Sequence, residues 1–134
     1  MSERTRATVE RFYELLGAGD TGAAVGLLAE DFHWEIPGDV DTVPWLGLRT
    51  TTQAVEEFFV HMGSHVDREA FDIDRILVDG AHAVVLGRAA VIVRSTGKPI
   101  DTQFAIHIVV DPEGRISRFV MFEDSWNVAN AMRR

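Results

Sequence analysis

The stretch from Pro99 to Trp126, PIDTQFAIHIVVDPEGRISRFVMFEDSW, sets two apolar, β-branched runs on either side of one turn, and a long β-hairpin is the arrangement that suits it. Asp111-Pro112-Glu113-Gly114 supplies the turn: proline fixes φ at its second position and glycine is free to close it. If Val110 lies opposite Arg115, then Ile108, Ile106 and Phe104 share one face with Ser117, Phe119 and Met121. His107 and Ala105 then share the other with Arg118 and Val120. One face is almost wholly apolar and the other mixes charge with aliphatic groups, so function belongs to one of two unlike sides.

A chain of 134 residues, 46% of them hydrophobic, buries one core without staples and reads as a single domain spanning 1-134. Thirteen Lys and Arg against 21 Asp and Glu leave a net charge of -8, which opposes phosphate backbones and anionic lipid, so neither nucleic acid nor a membrane surface is expected as a partner. No apolar run approaches the length of a membrane span, no leader pattern precedes the first element, and cysteine is absent. A cytoplasmic location is expected on those grounds.

Ser2 caps a helix through about Leu16, with Val9, Phe12, Leu15 and Leu16 as its apolar stripe. Asp20 caps a short second helix carrying Ala24, Leu27 and Leu28, and Asp31 to Ile36 alternates as a strand with Phe32, Trp34 and Ile36 inward. Gly38 to Gly47 reads as a loop whose Trp45 packs as a lid or plug. A third helix starts at Thr50 to Thr52, carries Val55, Phe58, Phe59 and Met62, and closes at Gly63. Asp67 to Val78 and His82 to Arg94 are strands around an Asp79-Gly80 turn, and Val128 to Met132 adds a last helical turn. The order ααβα followed by ββββ describes an α+β layer structure.

That order, with LGAGDTGAAVGLLAEDFHWEIPG near the start and PEGRISRFVMFED near the end, resembles the nuclear transport factor 2-like superfamily, and within it the SnoaL-like branch related to ketosteroid isomerases and polyketide cyclases. The resemblance implies a cone: a curved, mainly antiparallel sheet wrapped around three helices, with a deep apolar pocket at one end and a homodimer through the outer face. Strands 82 to 94 and 99 to 110, apolar on both sides, agree with such a dimer. Ketosteroid isomerase needs a carboxylate base and an oxyanion hole of a tyrosine and a protonated aspartic acid. Matching VERFYELLGAGD, AEDFHWEIPG and the spacing back from Gly114 puts those positions on Phe12, Ile36 and Ile106, all apolar, so that machinery is not run here. The Arg-x-Asp of epoxide hydrolases has no counterpart, since Ala89 and Ala90 follow Arg88. The SnoaL cyclases use an aspartate on the last long strand, where the nearest inward position is Met121. A β-bulge would shift the inward set and bring Asp124 or Val120 in place of Glu123 or Met121.

The candidate acid–base groups are Glu123, Asp124 and His107. Glu123 extends the apolar face of Phe119 and Met121; it is either a desolvated carboxyl at the end of a pocket or a solvated strand end. Asp124, just before Ser125, either joins that chemistry or caps the terminal helical turn. His107 with Arg118 is either a polar pocket wall or a network on the outer face. Phe12, Trp34, Ile36, Trp45, Phe104, Ile106, Phe119 and Met121 are expected to line the pocket, with Tyr13 a further aromatic candidate. His61 and His65 stand four apart on a helix, but with no third ligand in the pattern no metal is expected.

These readings lead to a cofactor-independent isomerase, cyclase or hydratase acting on a small, neutral, mostly apolar molecule of polyketide or terpenoid type. Neutrality is expected because the derived inward set, with Phe32 added, holds no cation to pair with an anion; a bulge that turned Arg88, Arg118 and His107 inward would make an anion site instead. The alternative is a binding module that holds a hydrophobic ligand without chemistry.

Overall fold

The structure is a computed structural model that describes residues 2–134. Helices α1 (Ser2–Gly17) and α2 (Thr21–Val25) precede strand β1 (Leu28–Ile36) and a three-residue strand β2 (Gly47–Arg49). Helix α3 (Thr52–His65) follows, then four strands in succession: β3 (Val66–Asp79), β4 (His82–Val93), β5 (Pro99–Val110) and β6 (Ile116–Glu123). Helix α4 (Ser125–Met132) ends the chain. The six strands form one curved open sheet in the order β2-β1-β6-β5-β4-β3, in which only β1 and β6 run parallel. The expected α+β cone is the architecture observed, with a fourth helix and a sixth strand added.

Several boundaries differ from the sequence reading for local reasons. Helix α2 stops at Val25, so Leu28 opens β1 instead of closing a helix. Strand β2 lies between the end of the expected loop at Gly47 and the third helix, where no element was expected; it is too short to show alternation and is held by pairing Trp34 with Arg49 and Ile36 with Gly47. Helix α3 runs through Gly63 to His65, because one glycine costs a helix only about 1 kcal/mol. It stops where Val66 turns extended to begin β3. The last helical turn begins at Ser125, not Val128, because the Asp124 side chain accepts a hydrogen bond from the Asn127 amide at 3.1 Å.

Helix α1 lies across the inner face of the sheet with Thr5, Val9, Phe12 and Leu15 buried, a stripe at helical spacing. Its start is pinned to the hairpin ends of the sheet. Thr5 Oγ1 donates to the Gly80 carbonyl at 2.7 Å, Ser2 Oγ accepts from the Gly80 amide at 2.9 Å, and Thr8 Oγ1 donates to the Gly114 carbonyl at 3.1 Å. One helix therefore ties together the β3–β4 and β5–β6 turns. The core between helices and sheet includes Val9, Phe12, Trp34, Val55, Val85, Ile106, Ile108 and Ile116.

The central hairpin keeps the expected division of faces with a shifted register. Ile108 pairs with Phe119, Ile106 with Met121 and Phe104 with Glu123, while Val110 pairs with Ile116. A bulge between Val109 and Val110 absorbs the difference, leaving Ser117 as the extra residue. Ile116, fully buried, takes the inward place that the simpler register assigned to Ser117.

Candidate functional site

The bulge next to the turn decides what the far end of β6 presents. Because the extra residue is spent at Ser117, Phe119, Met121 and Glu123 all point to the inner face with Phe104, Ile106 and Ile108. Ile106, Phe119, Met121 and Glu123 help to enclose a cavity of about 430 Å³ whose wall also draws on Tyr13, Trp34, Ile36, Trp45, Phe58, Phe59, Phe71 and Val128. The wall is overwhelmingly apolar. Its aromatic part is a connected cluster: Trp34 stacks on Phe119 with ring centroids 3.8 Å apart, and Phe58 and Phe59 approach Trp34 at 5.6 and 5.9 Å. Tyr13 stacks on Phe71 at 6.0 Å, and Phe71 on Phe104 at 5.1 Å.

Glu123 is the one acid in this wall. Burial, with the charge of Asp124 second, pushes its carboxyl up to about 7. Its side chain has no hydrogen-bond or ion-pair partner among the described residues. A carboxyl in that state holds a proton in weak acid, loses it in weak base, and can give or take one at neutral pH. Asp124 does different work. It is the N-cap of α4, and its own amide donates to Thr102 Oγ1 at 3.0 Å.

His107 stands on the opposite face. It lies between Ile106 and Ile108, both inward, so strand alternation turns it out, and it shares no site with Glu123. Arg118 Nε donates to His107 Nδ1 at 3.2 Å, which leaves the His107 Nε2–H to donate to His82 Nδ1 at 2.9 Å. Burial, then the neighbouring Arg118 and His82, lower the His107 pKa below the ordinary imidazole value. The expectation that His107 partners the pocket carboxyl is thereby corrected. On the same outer face Arg88 grips Asp101 through two hydrogen bonds of 2.7 and 2.5 Å, and that bond lowers the Asp101 pKa.

Of the eight expected lining residues, Trp34, Ile36, Trp45, Ile106, Phe119 and Met121 face the cavity. Phe12 and Phe104 do not. Phe12 is buried behind the wall against Tyr13, Trp34 and Phe119, and Phe104 lies over Gly87 beside Phe71. Phe32, also expected inward, is buried at a separate groove with Thr50 and Arg115. His61 and His65 have ring centroids 6.0 Å apart, and His65 Nδ1 donates to the His61 carbonyl at 2.8 Å. Among the described residues no third His, Asp or Glu joins them.

Arg68 was missed altogether. It is the one cation in the wall, and it overturns the premise that no positive charge faces the pocket. The signal was hidden because β3 carries two bulges, between Arg68 and Ala70 and between Ile73 and Arg75, which break the alternation of DREAFDIDRILV. Arg68 pairs with Val91, and Phe71 with Ala89; all four line the cavity although Arg68 and Phe71 are an odd number of positions, three, apart.

Residues 9–119 match the SnoaL-like domain. "Patulin synthesis protein F" of Aspergillus clavatus is 31% identical over 91 residues, 66% of this chain and 46% of that protein, so the chain spans about half the length of the curated relatives it matches. Among solved structures, an NTF2-like protein of Burkholderia xenovorans superposes with a TM-score of 0.88 at 21% identity, covering 99% of this chain and 98% of that one. TerC, co-crystallised with polyporic acid, superposes with a TM-score of 0.82 at 15% identity, covering 96% and 98%. Among the described residues no helix is long and apolar enough to cross a membrane. With the family's domain matched over most of this chain and the cone-shaped sheet in place, this chain belongs to the SnoaL-like domain family.

Proposed function

We propose that the protein is an enzyme of the isomerase, cyclase or hydratase type, acting on a small molecule with a mostly apolar, polyketide- or terpenoid-like body. The observation that carries this reading is Glu123: a lone carboxyl in an apolar wall, pushed to about 7 by burial. A group there can take a proton from carbon or return one to an enolate, and such chemistry needs no cofactor beyond the carboxyl itself. A relative named for patulin synthesis and a fold neighbour crystallised with polyporic acid support small-molecule chemistry as the setting. The test is deuterium exchange at the α-carbon of apolar cyclic monoketone probes in D₂O. Exchange is expected to rise with pH around neutrality and to fall at least about 100-fold in Glu123→Gln. Equal exchange by the variant would defeat the proposal.

The apolar residues Ile36, Ile106 and Met121 in the wall favour a second reading, a module that binds a hydrophobic ligand and does no chemistry. Tight probe binding with no exchange in the wild-type protein would select it.

The same reading includes a homodimer through the outer face of the sheet. Leu48, Glu35, Val120, His107, Val84 and Leu77 form one row across all six strands, and Phe122 stands beside it, 52% exposed. Sedimentation at micromolar concentration should give a dimer that Phe122→Lys weakens.

A further inference from the structure

The cavity has two poles. Arg68 on β3 stands in one row with Val91 on β4 and Ile100 on β5, and all three line the wall. The next inner row holds Phe71, Ala89 and Thr102; the one after holds Ile73, Gly87, Phe104 and, on β6, Glu123. Arg68 and Glu123 are therefore two inner rows and three strands apart, on the order of 19 Å along a flat sheet. The Arg68 guanidinium leans along this direction, since it lies over the Phe71 ring, 5.7 Å from its centroid, in the row nearer Glu123.

Arg68 is also free to bind. It has no ion pair or hydrogen bond among the described residues, and the neighbouring Asp67 is held by Arg94 at 2.8 Å. A planar guanidinium resting on an aromatic face is already oriented, and its fork matches the two oxygens of a carboxylate better than an ammonium would. The net charge of -8 gives no long-range pull on anions, so a carboxylate has to be held by a local contact.

We infer that Arg68 is a specificity-determining residue that docks a carboxylate at the mouth of the pocket, so that the substrate is an amphiphilic organic acid. Its apolar body lies along Phe71, Ala89 and Met121, and the carbon to be worked on lies toward Glu123. This rests on the pocket being the substrate site, as proposed above, and it replaces the expectation of a neutral substrate.

The experiment uses 2-naphthoate and its neutral isostere 2-naphthamide as probes, with affinities measured by calorimetry at about pH 8 in low and moderate salt. The wild-type protein is expected to bind the carboxylate at least about tenfold more tightly than the amide, with the preference shrinking as salt rises. Arg68→Met keeps the stem on Phe71 and removes the charge; it should abolish the preference and leave amide affinity within about twofold, which also shows that the variant is folded. Arg68→Lys should restore part of the preference. Equal binding of the two probes by wild type, an unchanged preference in Arg68→Met, or no binding of either probe at millimolar concentration would each overturn the inference. Glu123→Gln separates the two proposals. It removes a negative charge from the wall at pH 8, so it should keep or increase the carboxylate preference while losing exchange; a failure of acid–base chemistry leaves the Arg68 result standing, and the converse holds.

Discussion

Glu123 and Phe104 occupy directly opposed positions on β6 and β5, the carboxyl and the ring on the same inner face of the sheet. That pairing exists because the bulge at Ser117 lies near the turn. An extra residue placed after Met121 would have turned Glu123 outward and brought Asp124 in. The electrostatics of the pocket are thus set by the place of one unpaired residue in a hairpin.

The first consequence is a stability that falls as pH rises. Glu123 has a folded pKa of about 7 against an ordinary 4.5, so folding favours its protonated form. Its contribution is full below the ordinary value and is lost as pH rises through about 7, a change of about 3 kcal/mol. Glu123→Gln should match wild type near pH 4.5 and exceed it near pH 8.5 by that amount in urea unfolding. His107 acts in the opposite sense. Its lowered pKa gives stability that is present above the ordinary imidazole value and lost as pH falls, so His107→Gln should flatten the acid side.

Asp124 tests the division of labour between adjacent acids. Its side chain caps α4 at 3.1 Å and takes no part in the cavity wall. Asp124→Ala should cost about 1 kcal/mol of stability, and Asp124→Asn much less, with exchange activity at α-carbon probes retained. Loss of that activity in a folded Asp124→Asn protein would move the acid–base role to the wrong neighbour.

Gly87 is required by the ring across from Glu123. A Cβ added there would lie 2.2 Å from the Asp72 carbonyl oxygen and 2.5 Å from Phe104 Cζ. Gly87→Ala is expected to destabilise by at least about 2 kcal/mol, because backbone and ring must both move. A thermal midpoint unchanged from wild type would show that Phe104 does not rest on this position.

Tyr13 carries a buried hydroxyl with no partner among the described residues, and burial raises its pKa well above the ordinary phenol value. Replacing it with Phe removes an unsatisfied group and keeps the stack on Phe71. Tyr13→Phe should stabilise by about 1 kcal/mol in denaturant unfolding. A loss of stability would mean that the hydroxyl is satisfied after all.

The two faces of the central hairpin were legible in the sequence because parity alone assigns them, and Phe104, Ile106, Phe119 and Met121 kept their places. The pairing of Val110 was not legible, since a turn of given length admits a bulge at little cost and no residue type announces it. Inward positions were legible, but which of them meet empty space was not. Phe12 and Phe104 are as buried as the wall residues, and only the packing of Tyr13 and Phe71 over them sets them behind it. Arg68 escaped because two bulges erased the period on which strand reading depends.

The most direct test of the account is the titration of Glu123 itself, followed by ¹³C NMR of the glutamate side-chain carboxyls in wild type and Glu123→Gln. One carboxyl should titrate near 7 in the wild-type protein and vanish from the spectrum of the variant. If every glutamate titrated in the ordinary range around 4.5, Glu123 would be a solvated strand end and the acid–base account of the pocket would be contradicted.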